Sequence, residues 1–435
     1  MDGHTAAGLR APDMMVERLC VVHLAQSDSE GGANKAAYRL HSNLLRAGVE
    51  SILHCGRKHL NDATVVPAHL PGVGNFVSDV AAYFNARSLR QYPNRMGTPF
   101  SPMRFSYGRL DTRLLSRADV VCLHWIAGGF LSAGNLQAIK KPMVWRLSDI
   151  WPFSGGCHYP GTCVGFERAC GSCPQLGSNS DDDLSRSGIR LREDGYRNLD
   201  LTVVAPSRWI ADLARRSHLF GGMRIEHIPT GADLTVFYPR DRLAARARLN
   251  LPAGGHFVVF GALGATTDPR KGYAQLRIAL ERLAASSNHQ LTLVTFGSDE
   301  ANRAAQISRF PVCHLGRIDN QDTLANVYSA ADVLVAPFLE DNLPNVVLEA
   351  IACGTPVAGF AAGGIPDAVE HESHGYLAPA GDSEGLARGI AYILDRLEDG
   401  HMRSNAGAFA RRNFDLLKCG ERYIELFREV AESRA

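Results

Sequence analysis

The sequence predicts two α/β domains in series, each a doubly wound parallel sheet, facing each other across a cleft. Three observations carry this. The chain has 435 residues, too many for one ordinary core and enough for two. Short, continuously apolar runs recur along it, bounded by Gly, Pro or charge, as strands buried on both faces require. Helical stretches separate those runs in a strand, turn, helix, strand order, which is the signature of parallel crossover units.

In chain order, residues 1–15 carry His4, Arg10 and Asp13 without an apolar stretch, so a flexible tail is expected there rather than an export signal. A strand over 19–25, a turn through Gly31 and Gly32, a helix over 35–47 stopped by Gly48 and a strand over 50–55 open the first domain. Further strands are expected at 119–125, 143–147 and 201–205, the last followed by Pro206, Ser207 and a helix from about Arg208. This domain is assigned 16–238, with a hinge near Gly231 and Pro239. The second domain, 239–413, restarts with strands at 257–263, 290–296, 312–315, 333–337 and 355–360. Leu416, Leu417, Tyr423, Leu426 and Phe427 give 414–435 one apolar helical face, expected to pack back on the first domain. Two wound sheets in series place a ligand beyond the carboxyl ends of the strands.

Composition narrows the function. Lys plus Arg total 46 against 45 Asp plus Glu, a net charge of +1 that gives no global case for nucleic acid. No apolar run nears the roughly 20 residues of a membrane span. Neither domain opens with Gly-x-Gly-x-x-Gly after its first strand, which disfavours a nicotinamide enzyme. With no export signal, a cytosolic protein is expected, its ten cysteines reduced thiols or metal ligands.

The most informative segment is Glu340-Asp341-Asn342-Leu343-Pro344-Asn345-Val346-Val347-Leu348-Glu349, followed by Ala350-Ile351-Ala352-Cys353-Gly354-Thr355-Pro356. It reads as a strand end, a polar loop and a helix from about Pro344 to Gly354. The free N–H groups of such a helix start suit a diphosphate on Asn345, Val346 and Val347. Glu349, one turn further in, is placed to accept hydrogen bonds from ribose hydroxyls. Glu340 and Asp341 are placed for the hydroxyls of a sugar. Arg270 and Lys271, just before Gly272, are candidate diphosphate clamps. In the first domain Gly31 and Gly32 permit close backbone approach to a ligand. His124 ends a strand at the cleft edge, and Asp149 follows the next strand, where it positions an acceptor or caps a turn.

Between these strands lies an insert, about 151–177, in which Cys157, Cys163, Cys170 and Cys173 suit a tetrahedral structural zinc; buried free thiols are the other reading. From Tyr83 to Arg117, Phe84, Phe105 and other aromatics interleave with seven arginines and one acid, Asp111, a composition suited to an anionic interface.

The Asp341-to-Glu349 segment, the Ala-Cys-Gly-Thr-Pro turn and the Gly363-Gly364-Ile365-Pro366-Asp367 loop resemble the donor signature of retaining glycosyltransferase family 4, of the two-Rossmann-domain GT-B fold. The wording of the cysteine insert is similar to the colanic-acid, exopolysaccharide-type branch. The resemblance implies transfer from a nucleotide diphosphate sugar to a saccharide or lipid-linked saccharide acceptor without a catalytic cofactor, and the Tyr83–Arg117 segment is read as either a peripheral contact with the inner membrane or a solvated loop and helix. It implies that Glu349 holds the ribose, that an acid at 340 or 341 and His124 contact the sugar, and that nucleic acid is not a partner. Two positions depart from the pattern. Asp341 stands for the usual glutamate, and Ala262 stands for the usual phosphate arginine. A sugar-nucleotide epimerase and a non-catalytic nucleotide-sugar binder are the alternatives.

Overall fold

The computed structural model describes residues 19–69, 74–261, 268–286, 289–297 and 309–433. The tail expected at 1–15 and the Ala262 departure lie outside the described residues. Two sheets, parallel throughout, form the two halves. The first runs β3-β2-β1-β4-β5-β6-β7, built from Cys20–Ser27 (β1), Glu50–Arg57 (β2), Val65–Pro67 (β3), Val120–Leu123 (β4), Met143–Arg146 (β5), Leu201–Ala205 (β6) and Ile225–His227 (β7). The second runs β10-β9-β8-β11-β12-β13, from His256–Gly261 (β8), Leu291–Phe296 (β9), Val312–His314 (β10), Val333–Ala336 (β11), Val357–Phe360 (β12) and Gly375–Ala378 (β13).

The central strands are buried along their whole length because helices cover both faces, which is why their sequences read as largely apolar runs. In each sheet the order reverses beside the first strand, between β1 and β4 and between β8 and β11, and this is where open α/β sheets leave a crevice. The edge strands β3, β7 and β13 are short and only partly buried, and no apolar run announces them.

Two boundaries differ from expectation in a way that bears on the site. The helix expected from residue 35 begins at Gly31 and runs Gly31–Arg46, so the glycine pair is its first turn rather than a loop before it. Pro344 caps the helix Asn345–Ala352 rather than entering it. The last helix, Leu416–Glu432, sets Tyr423, Ile424, Leu426, Phe427 and Val430 against Val21, Leu40, Leu44, Val120 and Val204 of the first sheet and its first helix. The Asn43 side chain donates to the Leu416 carbonyl at 2.6 Å, and Arg224 grips Glu429 with both terminal nitrogens.

Candidate functional site

Loops at the carboxyl ends of both sheets meet. Asn342, after β11, accepts from the Ser207 hydroxyl (2.6 Å) and donates to the Leu147 and Ser148 carbonyls (3.2 Å each), which follow β6 and β5. Gly364 lies so close to this contact that a Cβ would strike the Asn342 carbonyl and Ser207, so only glycine fits. Asp367 accepts from the backbone N–H of Arg208 (2.6 Å). The glycine loop therefore serves as a seam between the domains as well as bordering the polar segment. Gly32 sits opposite Asn345, where a Cβ would lie 3.6 Å from its Nδ2.

Around this seam the charged side chains are paired. Lys271 Nζ lies 2.6 Å from Asp341 Oδ2 and 4.9 Å from the Phe338 ring centroid. Arg270 stacks on Tyr159 of the cysteine insert at 3.7 Å and pairs with Asp268, while its Nε and Nη1 are buried with no hydrogen-bond partner. Unpaired guanidinium N–H groups in a buried place cost free energy unless an anion meets them. Glu340 accepts from the Gly161 N–H (3.2 and 3.3 Å), again from the insert, and burial pushes its carboxyl above the usual range. Of the three N–H groups expected to face a phosphate, Val347's is spent on the Pro344 carbonyl (3.0 Å), leaving Asn345 and Val346.

Glu349 is buried and both its oxygens are engaged. Oε1 accepts from Arg39 Nη2 of the first domain (2.9 Å), and Oε2 accepts from the Tyr328 hydroxyl (3.1 Å), whose proton is held firmly by burial and by that carboxylate. A ribose reaching Glu349 has to share or replace Arg39. Sequence reasoning missed Arg39, Tyr328, Tyr159 and Gly161 because their partners are 21 to 310 residues away in the chain.

His124, expected at the cleft edge, is buried beside a second histidine. It is 1% exposed, with Nε2 at 2.9 Å from Nδ1 of His23, and the rings are stacked at 5.2 Å. Burial, with Arg146 and His41 nearby, holds His124 neutral, and burial with His124 and His41 does the same for His23. The ring is packed against His23 and closed to solvent in this arrangement. An alternating strand offers the physical reason: His23 and Cys122 are register partners, and His124, two residues on from Cys122, shares their face. These three are the group of His, Cys, Asp or Glu ligand atoms found within 4.8 Å of one another among the described residues. Asp149 caps the turn at Trp151 N (2.9 Å), accepts from Trp125 (3.0 Å) and holds His158 (2.7 Å), so its oxygens are spent on structure. The four insert cysteines are free thiols and line one cavity.

With the geometry in place, similarity gives the lineage. Residues 256–396 match the family model for glycosyl transferases group 1. The D-inositol 3-phosphate glycosyltransferase of Mycolicibacterium smegmatis is 32% identical over 384 residues, which cover 84% of this chain and 79% of that protein. The chain belongs to the group 1 glycosyl transferases. Members of this family generally need no cofactor for catalysis. With other relatives of the same description the match is shorter: it spans half of the protein from Saccharomonospora viridis, at 29% identity over 221 residues and 47% of this chain. Among solved structures, sucrose-phosphate synthase from Thermosynechococcus elongatus aligns over 95% of this chain and all of its own, with a TM-score of 0.66 and 20% identity. Anabaena HepE, solved with UDP-glucose, aligns over 94% and 100%, with a TM-score of 0.60 and 18% identity. At these identities the structural likeness establishes the fold, two Rossmann-like domains in the GT-B arrangement.

Proposed function

We propose that this group 1 glycosyl transferase moves a sugar from a nucleotide diphosphate donor to a saccharide acceptor with retention of anomeric configuration. The observation that carries the donor half is the convergence, at one seam, of a helix start, a lysine and a partly buried arginine whose Nε and Nη1 are buried and unpartnered. Asn345 and Val346 N–H groups receive the diphosphate, and Lys271 and Arg270 stabilise the charge that grows on it as it leaves. Glu349 takes the ribose in place of Arg39. Asp341 and Glu340 hold the sugar hydroxyls. The acceptor oxygen bonds to the anomeric carbon as the bond to phosphate breaks, and its proton passes to the departing phosphate oxygen on the same face, so no protein nucleophile is needed. His124 contacts the sugar only if closure around the donor turns its ring outward.

For the acceptor, a lipid-linked saccharide in exopolysaccharide synthesis is the reading supported by the surface. Tyr83, Phe84 and Phe105 are exposed beside exposed Arg87, Arg90 and Arg104. A phosphorylated polyol is the second reading, favoured by the description of the M. smegmatis relative. Melting curves against a panel of UDP-, GDP- and ADP-sugars test the donor half. One or more is expected to raise the midpoint by several degrees, because a ligand that binds only the folded state must stabilise it. If none of them moves the midpoint, the donor assignment fails. With the stabilising donor in hand, polyprenyl-linked sugar against inositol phosphate decides the acceptor.

A further inference from the structure

The cysteine insert holds a feature that sugar transfer does not explain. Cys157, Cys163, Cys170 and Cys173 line a single cavity of about 20 Å3, closed otherwise by Phe100 and Phe166 and neighbouring backbone. That is room for one water-sized body, yet a buried water needs two to four polar partners. Gln175 and Ser185, which also border the cavity, spend their polar atoms elsewhere, on Tyr159, Thr98, Asp183 and Gly171. The thiols are left as the cavity's own polar lining.

Three further observations point to a charged occupant. Backbone N–H groups already face the sulfurs: Gly165 donates to Cys163 Sγ at 3.3 Å, Gly155 faces Cys170, and Gln175 and Leu176 face Cys173, as the outer donors of a metal thiolate do. The turn that carries Cys170 up to Cys173 runs through Ala169, Cys170, Gly171 and Ser172 with φ of 63, 54, 96 and 46 degrees. Three of these are not glycine, and such a backbone persists only where something over-determines it. Arg192, fully buried, lies over Trp151 at 4.7 Å and gives Nη1 to the Gly188 carbonyl. Its Nε and Nη2 have no partner, and among the described residues no carboxylate pairs with it. The groups of opposite potential charge that act on it are Tyr196 first, then Cys170 and Cys157. A buried cation without an anion is costly.

We infer that the four thiols bind one zinc ion as thiolates, and that this centre holds the insert against the donor loop. Binding releases four protons and forms four Zn–S bonds, leaving a centre of net charge −2 that Arg192 partly balances. No three of the sulfurs lie within 4.8 Å of one another among the described residues, so the ion has to draw them inward to the tetrahedral spacing set by Zn–S bonds of about 2.3 Å. The loop between the first two ligands carries Tyr159, which underlies Arg270, and Gly161, which donates to Glu340. Zinc therefore acts on the donor side through these two residues without touching substrate.

The experiment is elemental analysis of the full chain purified from zinc-supplemented medium, with cobalt exchange. About one zinc per chain is expected, with the visible bands of tetrahedral thiolate-bound cobalt after exchange. Cys173→Ser should lose both, and Cys313→Ser, remote from the cavity, should keep both. Should Cys173→Ser fail to fold, cobalt titration of the metal-stripped native chain replaces it. Negligible zinc with no cobalt bands, or recovery of the four residues as two disulfides, overturns the inference. Hydrogen exchange at 159–161 and 338–341 should quicken when zinc is removed, and unchanged rates overturn the coupling. Since these readouts are metal, colour and exchange, they stand or fall apart from the donor reading.

Discussion

The carboxyl edges of the two sheets are built alike and furnished differently. Past β11 of the second domain, the charged groups at the seam are paired: Lys271 with Asp341, the partly buried Arg39 with the buried Glu349, and Glu340 with a backbone N–H. Past β4 of the first domain, the polar pair His23 and His124 is sealed into packing and satisfied only by itself. Under the proposed function, the first arrangement holds charge for a donor to meet. The second stores neutral rings, and its cost appears in stability rather than in affinity.

The largest test of that contrast is Lys271→Ala beside His124→Ala. Removing a cation that stabilises developing charge typically costs about 100- to 1000-fold in kcat. Lys271→Ala is expected to show a loss of that order with a nearly unchanged melting point, since its stem is only partly buried. His124→Ala should instead lower the melting point, because it empties a buried site and leaves His23 unpaired. Steady-state kinetics and calorimetry on both variants decide it. A His124→Ala chain of native stability and lost kcat would mean that the ring works in the cleft.

Much of this was readable in advance, for physical reasons that differ by region. The largely apolar runs at β1, β4, β6 and β11 mark strands buried on both faces, and Pro344 and Gly354 bracket their helix by backbone preference alone. Short edge strands such as β13, Gly375–Ala378, alternate too briefly to stand out. The donor-site residues drawn from one segment are local, and a local pattern can announce them. Arg39 at Glu349 and Tyr159 beneath Arg270 are contacts between distant parts of the chain, set by how the halves dock. The burial of His124 is likewise invisible in a strand-end position, because whether a terminal residue faces cleft or core depends on the helix packed over it.

The histidine pair also predicts a pH response. Both rings have folded pKa values far below the ordinary 6.5, chiefly from burial. Below 6.5 the unfolded chain binds protons that the folded chain cannot, so stability is full above about pH 6.5 and falls as the pH drops beneath it. One unit below, each ring contributes a loss of about 1.4 kcal/mol, or about 3 kcal/mol for the two. His41, lowered to about 4 by burial, adds in the same direction. Urea unfolding at pH 7.5 and 5.5 measures the difference. A flat result would show the pair open to water and would bring the first domain's edge closer to the second's.

The smallest expected effect lies on the exposed face of the helix Gly74–Leu89, away from its buried Ser78 and Asn85. Tyr83 and Phe84 stand 49% and 43% exposed with Arg87 and Arg90 beside them, and Arg90 stacks on Tyr83 at 5.3 Å. Aromatic rings suit the headgroup region, and each arginine near an acidic leaflet contributes about 1 kcal/mol. The double variant Arg87→Ala/Arg90→Ala should therefore bind vesicles containing phosphatidylglycerol about 2 kcal/mol more weakly, a fall of about 30-fold, with no change in melting point. Cosedimentation at low and physiological salt reads this directly, since salt should weaken the electrostatic part more in the native chain than in the variant. Equal binding by variant and native chain would remove the membrane face from the acceptor reading. The donor seam would be untouched, because the surface and the seam share no residue.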